Sequence, residues 1–369
     1  MSAANPQTDQ QTHHRPGERP VSQTEAALLE QVCEALHEAT PLQIQGGNSK
    51  HFLGRKTQGE VLDITAHQGV VSYDPTELVI TVRAGTSMQQ LETLLAEQGQ
   101  ILGCEPPHLG DNATVGGMVA TGLSGPRRPW SGSVRDFVLG TKVITGHGKL
   151  LRFGGEVMKN VAGYDLSRLM AGSFGCLGIL TEVSMKVLPK PRNEYHLSIP
   201  CNQAEALQKL SLWGQQPLPI TAACHYQEQL YLRLEGGEAS VKNFADSLQG
   251  QEIDPEFWTQ LREQQLAFFQ DSRPLWRLSL PANAPQLNLE GDSLIDWGGA
   301  QRWLKTDQPE AALREAAENA GGHATCYTPD ITDQPLHPLQ PLLIRYHQQL
   351  KAQLDPKGIF NPGRMYSDY

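Results

Sequence analysis

The sequence predicts an α+β protein laid out in two blocks, and three observations carry that prediction. Capped stretches with apolar residues at helical spacing alternate with short β-branched runs over the first hundred residues. Glycine is concentrated in the middle of the chain, where 16 of the 35 lie between Gly103 and Gly178. Pro189-Lys190-Pro191 then interrupts the pattern before a Gln-rich stretch of different character. The expected division is a flexible polar tail at 1–20, a first domain over 21–192, a shorter α+β block over 193–335, and a C-terminal segment over 336–369. At about 150 residues per domain, 369 residues are enough for two cores.

Ser22-Gln-Thr-Glu25 reads as a capping box opening a helix over 22–39, with Leu28, Leu29, Val32, Ala35 and Leu36 on one face and Pro41 beyond its end. Leu42–Gln45 is a short strand running into Gly46-Gly47-Asn48-Ser49-Lys50, and Val61–Ile64, Val70–Tyr73 and Leu78–Val82 are further strands. Thr86 is placed to cap a second helix carrying Met88, Leu91, Leu94 and Leu95, with Gly99 as its stop. Gly146-His147-Gly148 joins strands Phe137–Thr145 and Lys149–Phe153 as a hairpin. Leu177–Leu188 is a strand. Beyond it the pattern gives strands at Leu230–Leu234 and Leu275–Leu280, helices at Val241–Leu248 and Pro309–Asn319, and a last helix near Pro341–Leu354. The strand order of the second block cannot be read from the pattern.

Thirty basic against 40 acidic side chains give a net charge of −10, which excludes a general nucleic-acid coat. No run of 18 apolar residues is present, so no transmembrane helix is expected, and the polar N-terminus has no apolar core of a secretory signal. The six cysteines are scattered, the closest two being 23 residues apart, so no CxxC is available for zinc or an iron–sulfur cluster. A reducing cytoplasm is the expected location. Between Gly103 and Lys190 there are ten Lys/Arg against six Asp/Glu, a local net of +4 that leaves −14 for the remainder. A glycine-rich, locally basic middle in an acidic protein suggests a bound anion such as a pyrophosphate; ordinary charge scatter in a loop-rich β region is the other reading.

The common nucleotide motifs are missing. There is no GxxxxGK[ST], and Gly146-His-Gly148 fails GxGxxG at its third glycine. Two other segments qualify. Gly46 to Lys50 follows a strand, and its successive N–H groups can converge on a phosphate oxygen, with the Ser49 hydroxyl beside them; a plain turn is the alternative. Pro106-Pro107 precede Asn112-Ala-Thr114-Val-Gly116-Gly117-Met-Val-Ala120-Thr-Gly122-Leu-Ser124-Gly125, a run of small residues that lets backbone lie flat against a planar ligand or against another backbone. The run is too glycine-rich to stand alone as a helix.

With Gly132-Ser-Val-Arg135-Asp136-Phe-Val-Leu-Gly140, Gly175-Cys-Leu-Gly178-Ile179-Leu-Thr181-Glu182 and Phe360-Asn361-Pro362-Gly363-Arg364, these segments resemble the FAD-binding domain of the vanillyl-alcohol-oxidase (PCMH-type) flavoproteins. Ile44–Lys50 and Val157–Asp165 look like the FAD-binding subunits of bacterial glycolate oxidases within that family. The resemblance implies a two-lobed FAD-binding domain over 21–192, a cap over 193–335 and a C-terminal segment returning to the FAD domain. It implies that Gly46, Gly47, Asn48, Ser49 and Lys50 wrap the pyrophosphate. Pro106, Thr114, Gly116, Gly117, Ala120 and Gly122 would line the cofactor. Asp136, Gly175, Gly178 and Ile179 would sit at the flavin or adenosine end, with Val115, Val119 and Ile179 against the rings. Some members tether FAD through a His in the first glycine loop; here that position is Gly47-Asn48, so a non-covalent flavin is expected.

Flavin-dependent oxidation of a 2-hydroxy acid needs a base at the hydroxyl and a cation at the carboxylate. No HxxH or HExxH pairs the 12 histidines, so no metal site is expected, and no catalytic residue is assigned. Arg127-Arg128 and Arg364 are the candidates for an anion contact. The resemblance implies one subunit of a complex oxidising glycolate to glyoxylate. Its partners would be a larger homologous FAD-binding subunit and an iron–sulfur subunit, and any contact with the inner membrane would be peripheral, through those partners. A stand-alone 2-hydroxy-acid dehydrogenase and a non-catalytic flavin-binding scaffold are the alternatives.

Overall fold

The computed structural model describes residues 21–155 and 165–369. The tail at 1–20 and all of the Val157–Asp165 stretch except Asp165 lie outside the described residues. Helix α1 (Gln23–Glu38) is followed by β1 (Leu42–Gln45), which pairs in parallel with β2 (Glu60–Asp63). Next come β3 (Val70–Asp74), β4 (Val79–Arg83), α2 (Met88–Glu97), β5 (Gln100–Ile101) and α3 (Val115–Thr121). The single turns α4 (Arg128–Ser131) and α5 (Val134–Phe137) lead to β6 (Val138–Ile144), β7 (Leu150–Gly154), α6 (Leu166–Leu169), β8 (Ile179–Lys186) and β9 (Leu188–Pro189). Five of these strands form an antiparallel sheet in the order β3-β4-β8-β6-β7, and β5 pairs with β9.

Strands β6 and β8 are the apolar middle of this sheet, with Val143, Ile144, Ile179 and Val183 wholly enclosed. Leu28 and Val32 of α1 and Leu91 and Leu95 of α2 join the same core. Ser22 accepts from the Glu25 amide at 3.2 Å, but Glu25 does not close the expected capping box. Its carboxylate is 1 % exposed and takes Lys142 Nζ at 2.6 Å and Thr181 Oγ1 at 2.7 Å instead. A buried charge satisfied on the sheet outweighs a local cap. The cap of α2 is Ser87, not Thr86, whose hydroxyl accepts from the Gly69 amide at 2.9 Å. Strand β4 begins one residue later than expected because Leu78 takes a left-handed φ of 57°.

The second sheet is built from β10 (Glu194–Pro200), β11 (Ile220–Tyr226), β12 (Gln229–Glu235), β13 (Gln251–Glu252), β14 (Leu275–Ser279), β15 (Asp292–Asp296), β16 (Gln301–Lys305) and β17 (His323–Cys326). Its order, β13-β10-β12-β11-β15-β16-β14-β17, supplies what the pattern could not give. Helices α7 (Gln203–Trp213), α8 (Glu238–Leu248), α9 (Glu256–Arg262) and α10 (Glu310–Asn319) are interspersed, and α11 (Pro341–Leu354) follows. Two-residue alternation divides the sheet's side chains. Leu230, Leu232 and Leu234 of β12 enter a core with α7 and α8. Ala222 and Cys224 of β11 turn the other way, into a cluster that reaches Leu53, Leu123 and Phe174 of the first part of the chain. The fold is α+β, and through this second cluster the eight-stranded sheet packs against loops of the first part of the chain.

Ion pairs fasten the same junction. Arg127 Nε meets Glu105 at 3.1 Å and its fork bonds Glu235 in bidentate fashion, while Arg233 reaches Glu105 at 3.0 Å and Glu235 at 3.1 Å. Two cations and two carboxylates thus satisfy one another out of water. Arg127, an expected anion-contact candidate, is spent here, and Arg128 lies over the Trp297 ring at 4.4 Å. Trp297 in turn donates its indole N–H to Gly125 O at 2.9 Å.

Candidate cofactor cleft

The cleft forms where β1 runs out of its sheet. In strand β1 the backbone is paired on both edges, with β2 on one side and the C-terminal segment on the other: Leu42 N donates to Ile359 O at 2.7 Å and Asn361 N to Leu42 O at 3.0 Å. Beyond Gln45, Gly46 and Gly47 pass so close to the 112–114 segment that a side chain is impossible. A Cβ on Gly47 would lie 1.4 Å from Asn112 O, and one on Gly46 would lie 2.4 Å from Thr114 Oγ1. Asn48 then adopts a φ of 57°, a conformation that asparagine tolerates better than most residues. Among the described residues, none of the backbone amides from Gly46 to Lys50 donates to a protein acceptor. Five consecutive donors free of partners are the anion-binding geometry expected of this turn.

Lys50 brings the fixed charge. Its side chain is buried and donates to His108 O at 2.8 Å and Ser49 Oγ at 3.3 Å, while Ser49 Oγ itself donates to His108 O at 2.8 Å. Burial lowers the Lys50 pKa to about 8, against the opposing pull of the Glu263 carboxylate. Glu263, just past α9, accepts from the amides of His108 and Leu109 at 3.0 and 2.8 Å, so the second sheet region holds the loop on which Lys50 rests.

The opposite wall is α3. Thr114 caps it, accepting from Gly117 N at 3.2 Å, and its glycines stand because the helix is clamped: Gly116 N donates to Ala84 O at 2.7 Å. Tertiary support overrides the poor helix propensity. The cleft is lined by Gly46–Lys50, Thr114, Gly117, Ala120, Thr121 and Phe174, and its continuation by Gly116, Gly175, Gly178 and Ile44. Eleven of the fifteen expected cofactor-binding residues therefore face one space. The structure does not bring the other four there: Pro106 is buried in the loop leading to His108, and Gly122 is the left-handed C-cap of α3 at φ 65°. Asp136 closes a capping box on Ser133 at 2.8 Å, which with the nearby Arg168 and Lys186 holds its pKa low against burial. Ile179 is enclosed in the core with Val115 and Val119.

Residues that the glycine pattern did not mark as ligand-lining complete the cleft. Asn361 ties three segments together, accepting from Ile44 N at 2.8 Å and donating through Nδ2 to Phe174 O at 2.7 Å. Lys351 supports it from beneath, donating to Cys176 O and Phe360 O at 2.7 Å and to Asp355 at 2.8 Å. Arg364 also lines the cleft and donates to His51 O at 2.8 Å. The terminal Asn361-Pro362-Gly363-Arg364 motif was the available signal for Asn361 and Arg364. Phe174, at φ 53°, carried none. Among the described residues no group of three or more His, Cys, Asp or Glu is placed to hold a metal ion, and no helix is long and apolar enough to cross a membrane.

The free amides, buried ammonium and flat glycine wall suit a flavin dinucleotide's diphosphate and rings, and comparison with known proteins agrees. Residues 21–154 match the FAD binding domain family. The chain is 59 % identical to the glycolate oxidase subunit GlcE of Escherichia coli (strain K12), over 93 % of this chain and 97 % of that one. It is also 33 % identical to the glycolate oxidase subunit GlcD of Bacillus subtilis (strain 168), over 38 % of this chain and 30 % of the other, and 35 % identical to a D-lactate dehydrogenase of Anaerostipes hadrus, over 40 % and 30 %. A solved alkyldihydroxyacetonephosphate synthase shares the fold at TM-score 0.64 and 18 % identity, over 93 % of this chain and 76 % of that one. The chain belongs to the family of the glycolate oxidase subunit GlcE, with an FAD binding domain over residues 21–154.

Proposed function

We propose that this chain is the FAD-carrying E-type subunit of a complex that oxidises glycolate to glyoxylate. The observation that carries the reading is the end-to-end likeness to GlcE joined to a row of five unpartnered amides beside a buried lysine. When bound, FAD supplies a two-electron acceptor for oxidation of an alcohol carbon. The work of this chain is to hold it: Gly46–Lys50 would meet the diphosphate, Lys50 would neutralise part of its charge, and Gly116, Gly117 and Ala120 would bring backbone flat against the rings. Asn361 and Lys351 keep those walls in register. We read residues 21–192 as the FAD domain, 193–335 as its cap and 336–369 as a returning segment.

The flavin is held non-covalently in this reading, because Asn48 occupies the loop position at which some relatives place a tethering His. Acid precipitation should leave all flavin in the supernatant; flavin retained in the pellet would count against it. The partners are a larger homologous FAD subunit and an iron–sulfur subunit, in the cytoplasm or peripheral to the inner membrane through them. The test is the absorption spectrum of the purified chain with and without partners, under anaerobic glycolate. A flavin spectrum that bleaches rapidly only when the subunits are combined supports the subunit reading. Turnover that is equal without partners overturns it in favour of a stand-alone dehydrogenase.

A further inference from the structure

Lys50 rests on a turn that the second block of the chain holds in place. The turn at His108–Leu109 offers one carbonyl, His108 O, to two donors of the glycine loop, Lys50 Nζ and Ser49 Oγ, each at 2.8 Å. The turn is not relaxed. Leu109 has a φ of 52° and Glu105, earlier in the same loop, a φ of 44°, a region that residues with bulky side chains rarely occupy. Two carboxylates secure it. Glu92 of α2 bonds the His108 ring at Nε2, 3.1 Å away, and Glu263 accepts from the successive amides of His108 and Leu109 at 3.0 and 2.8 Å.

Glu263 stands where a carboxylate is locally unfavourable. It is the C-cap of α9, at the end where the helix carbonyls already carry partial negative charge, and its side chain is only 12 % exposed. Arg262 Nε at 2.7 Å and the two amides compensate it. A residue placed against its own helix dipole is explained by what it does elsewhere in the molecule. Burial drives the Lys50 ammonium toward its neutral form, and the Glu263 charge opposes that. Other charged groups near the loop are engaged elsewhere or have the wrong sign. Glu92 is taken up by the His108 ring, His51 turns its ring to Asn48 O at 3.1 Å, and Arg364 in the same cleft is a cation. Glu263 lies well outside residues 21–154, which match the FAD binding domain family.

We propose that Glu263 is a positioning residue of the anion site: from the end of α9 it fixes the His108–Leu109 turn and keeps Lys50 a cation, so that cofactor retention depends on a residue of the second block. The consequence for the cofactor rests on the flavin reading; the link between Glu263 and Lys50 does not. Glu263→Gln keeps an acceptor for the amides and removes the charge. Fluorescence titration of the flavin-stripped full chain with FAD should give wild-type affinity at pH 6, where Lys50 is protonated in both proteins. At pH 8 the variant should bind about threefold more weakly. Arg262→Met leaves the Glu263 charge less compensated and should shift the fall in affinity to higher pH. In a Lys50→Met background Glu263→Gln should change nothing at either pH. An equal loss at both pH values would make Glu263 a structural prop and overturn the proposal, as would a wild-type pH profile in both single variants. If the chain binds FAD at no pH, urea unfolding of the flavin-free protein reads the link directly. The pH at which stability begins to rise, about 8 in the wild type, should move down in Glu263→Gln, and the rise should vanish in Lys50→Met. That result would sink the flavin reading and leave the link standing, whereas an unmoved onset would sink both.

Discussion

The cofactor cleft and the junction between the two sheets solve the same problem, placing charge out of water, by opposite means. The cleft uses mostly backbone, free amides and glycines without side-chain volume, with Lys50 and Arg364 beside them. The junction uses side chains: Arg127, Arg233, Glu105 and Glu235 neutralise each other with no donor left over. A surface made of amides waits for an anion, whereas a closed set of ion pairs needs none. The contrast separates a binding region from a structural one more clearly than the glycine motifs alone could.

The contrast can be broken most severely at Gly47. Gly47→Ala places a methyl 1.4 Å from Asn112 O, which only a backbone shift relieves. Flavin content of the purified variant should fall by an order of magnitude or more, and full occupancy would show that the loop does not hold the cofactor. Next is Arg127→Met, which leaves the buried Glu105 and Glu235 carboxylates to share Arg233 alone. Denaturant unfolding should show a loss of about 3–5 kcal/mol. Any flavin released should follow unfolding, because Arg127 lines no part of the cleft. Flavin loss from a variant with wild-type stability would mean that the junction is not merely structural.

The smallest effect sharpens the comparison at Lys50, the buried ammonium of the backbone-built region. Its pKa in the folded chain is about 8 against an ordinary 10.5. Between those values the unfolded chain binds more protons, so the flavin-free protein should gain stability as pH rises from about 8 to 10. A bound diphosphate favours the ammonium, so FAD binding in that window should take up a proton. Titration calorimetry in two buffers of different ionisation enthalpy reads this uptake, and Lys50→Met should abolish it while weakening FAD about tenfold. Proton uptake that persists in the variant would assign the titration to another group.

Much of the fold was legible because local signals and the final structure agree. Ser22 and Gly99 bound the two helices they were expected to bound, the Gly146-His147-Gly148 hairpin forms, and the glycine loops converge. What was not legible depends on contacts remote in sequence. Glu25 abandons its local cap for Lys142, more than a hundred residues away. Arg127 and Arg128 read as candidates for an anion contact, yet their partners lie on β12 and after β15. The order of the eight-stranded sheet is set by pairings no local window contains. Asp136 illustrates the converse: a residue inside a recognisable motif whose carboxylate is occupied by its own helix cap.

The tie between Ile44 and Asn361 spans 317 residues. During synthesis the glycine loop emerges early, but the segment that closes the far edge of β1 and anchors the Phe174 carbonyl leaves the ribosome near the end. The nascent chain can build its first sheet while the cleft is still missing a wall. Cofactor loading is therefore a step that follows translation, and any premature stop before residue 361 yields a chain that has its glycine motifs and cannot finish the pocket they belong to.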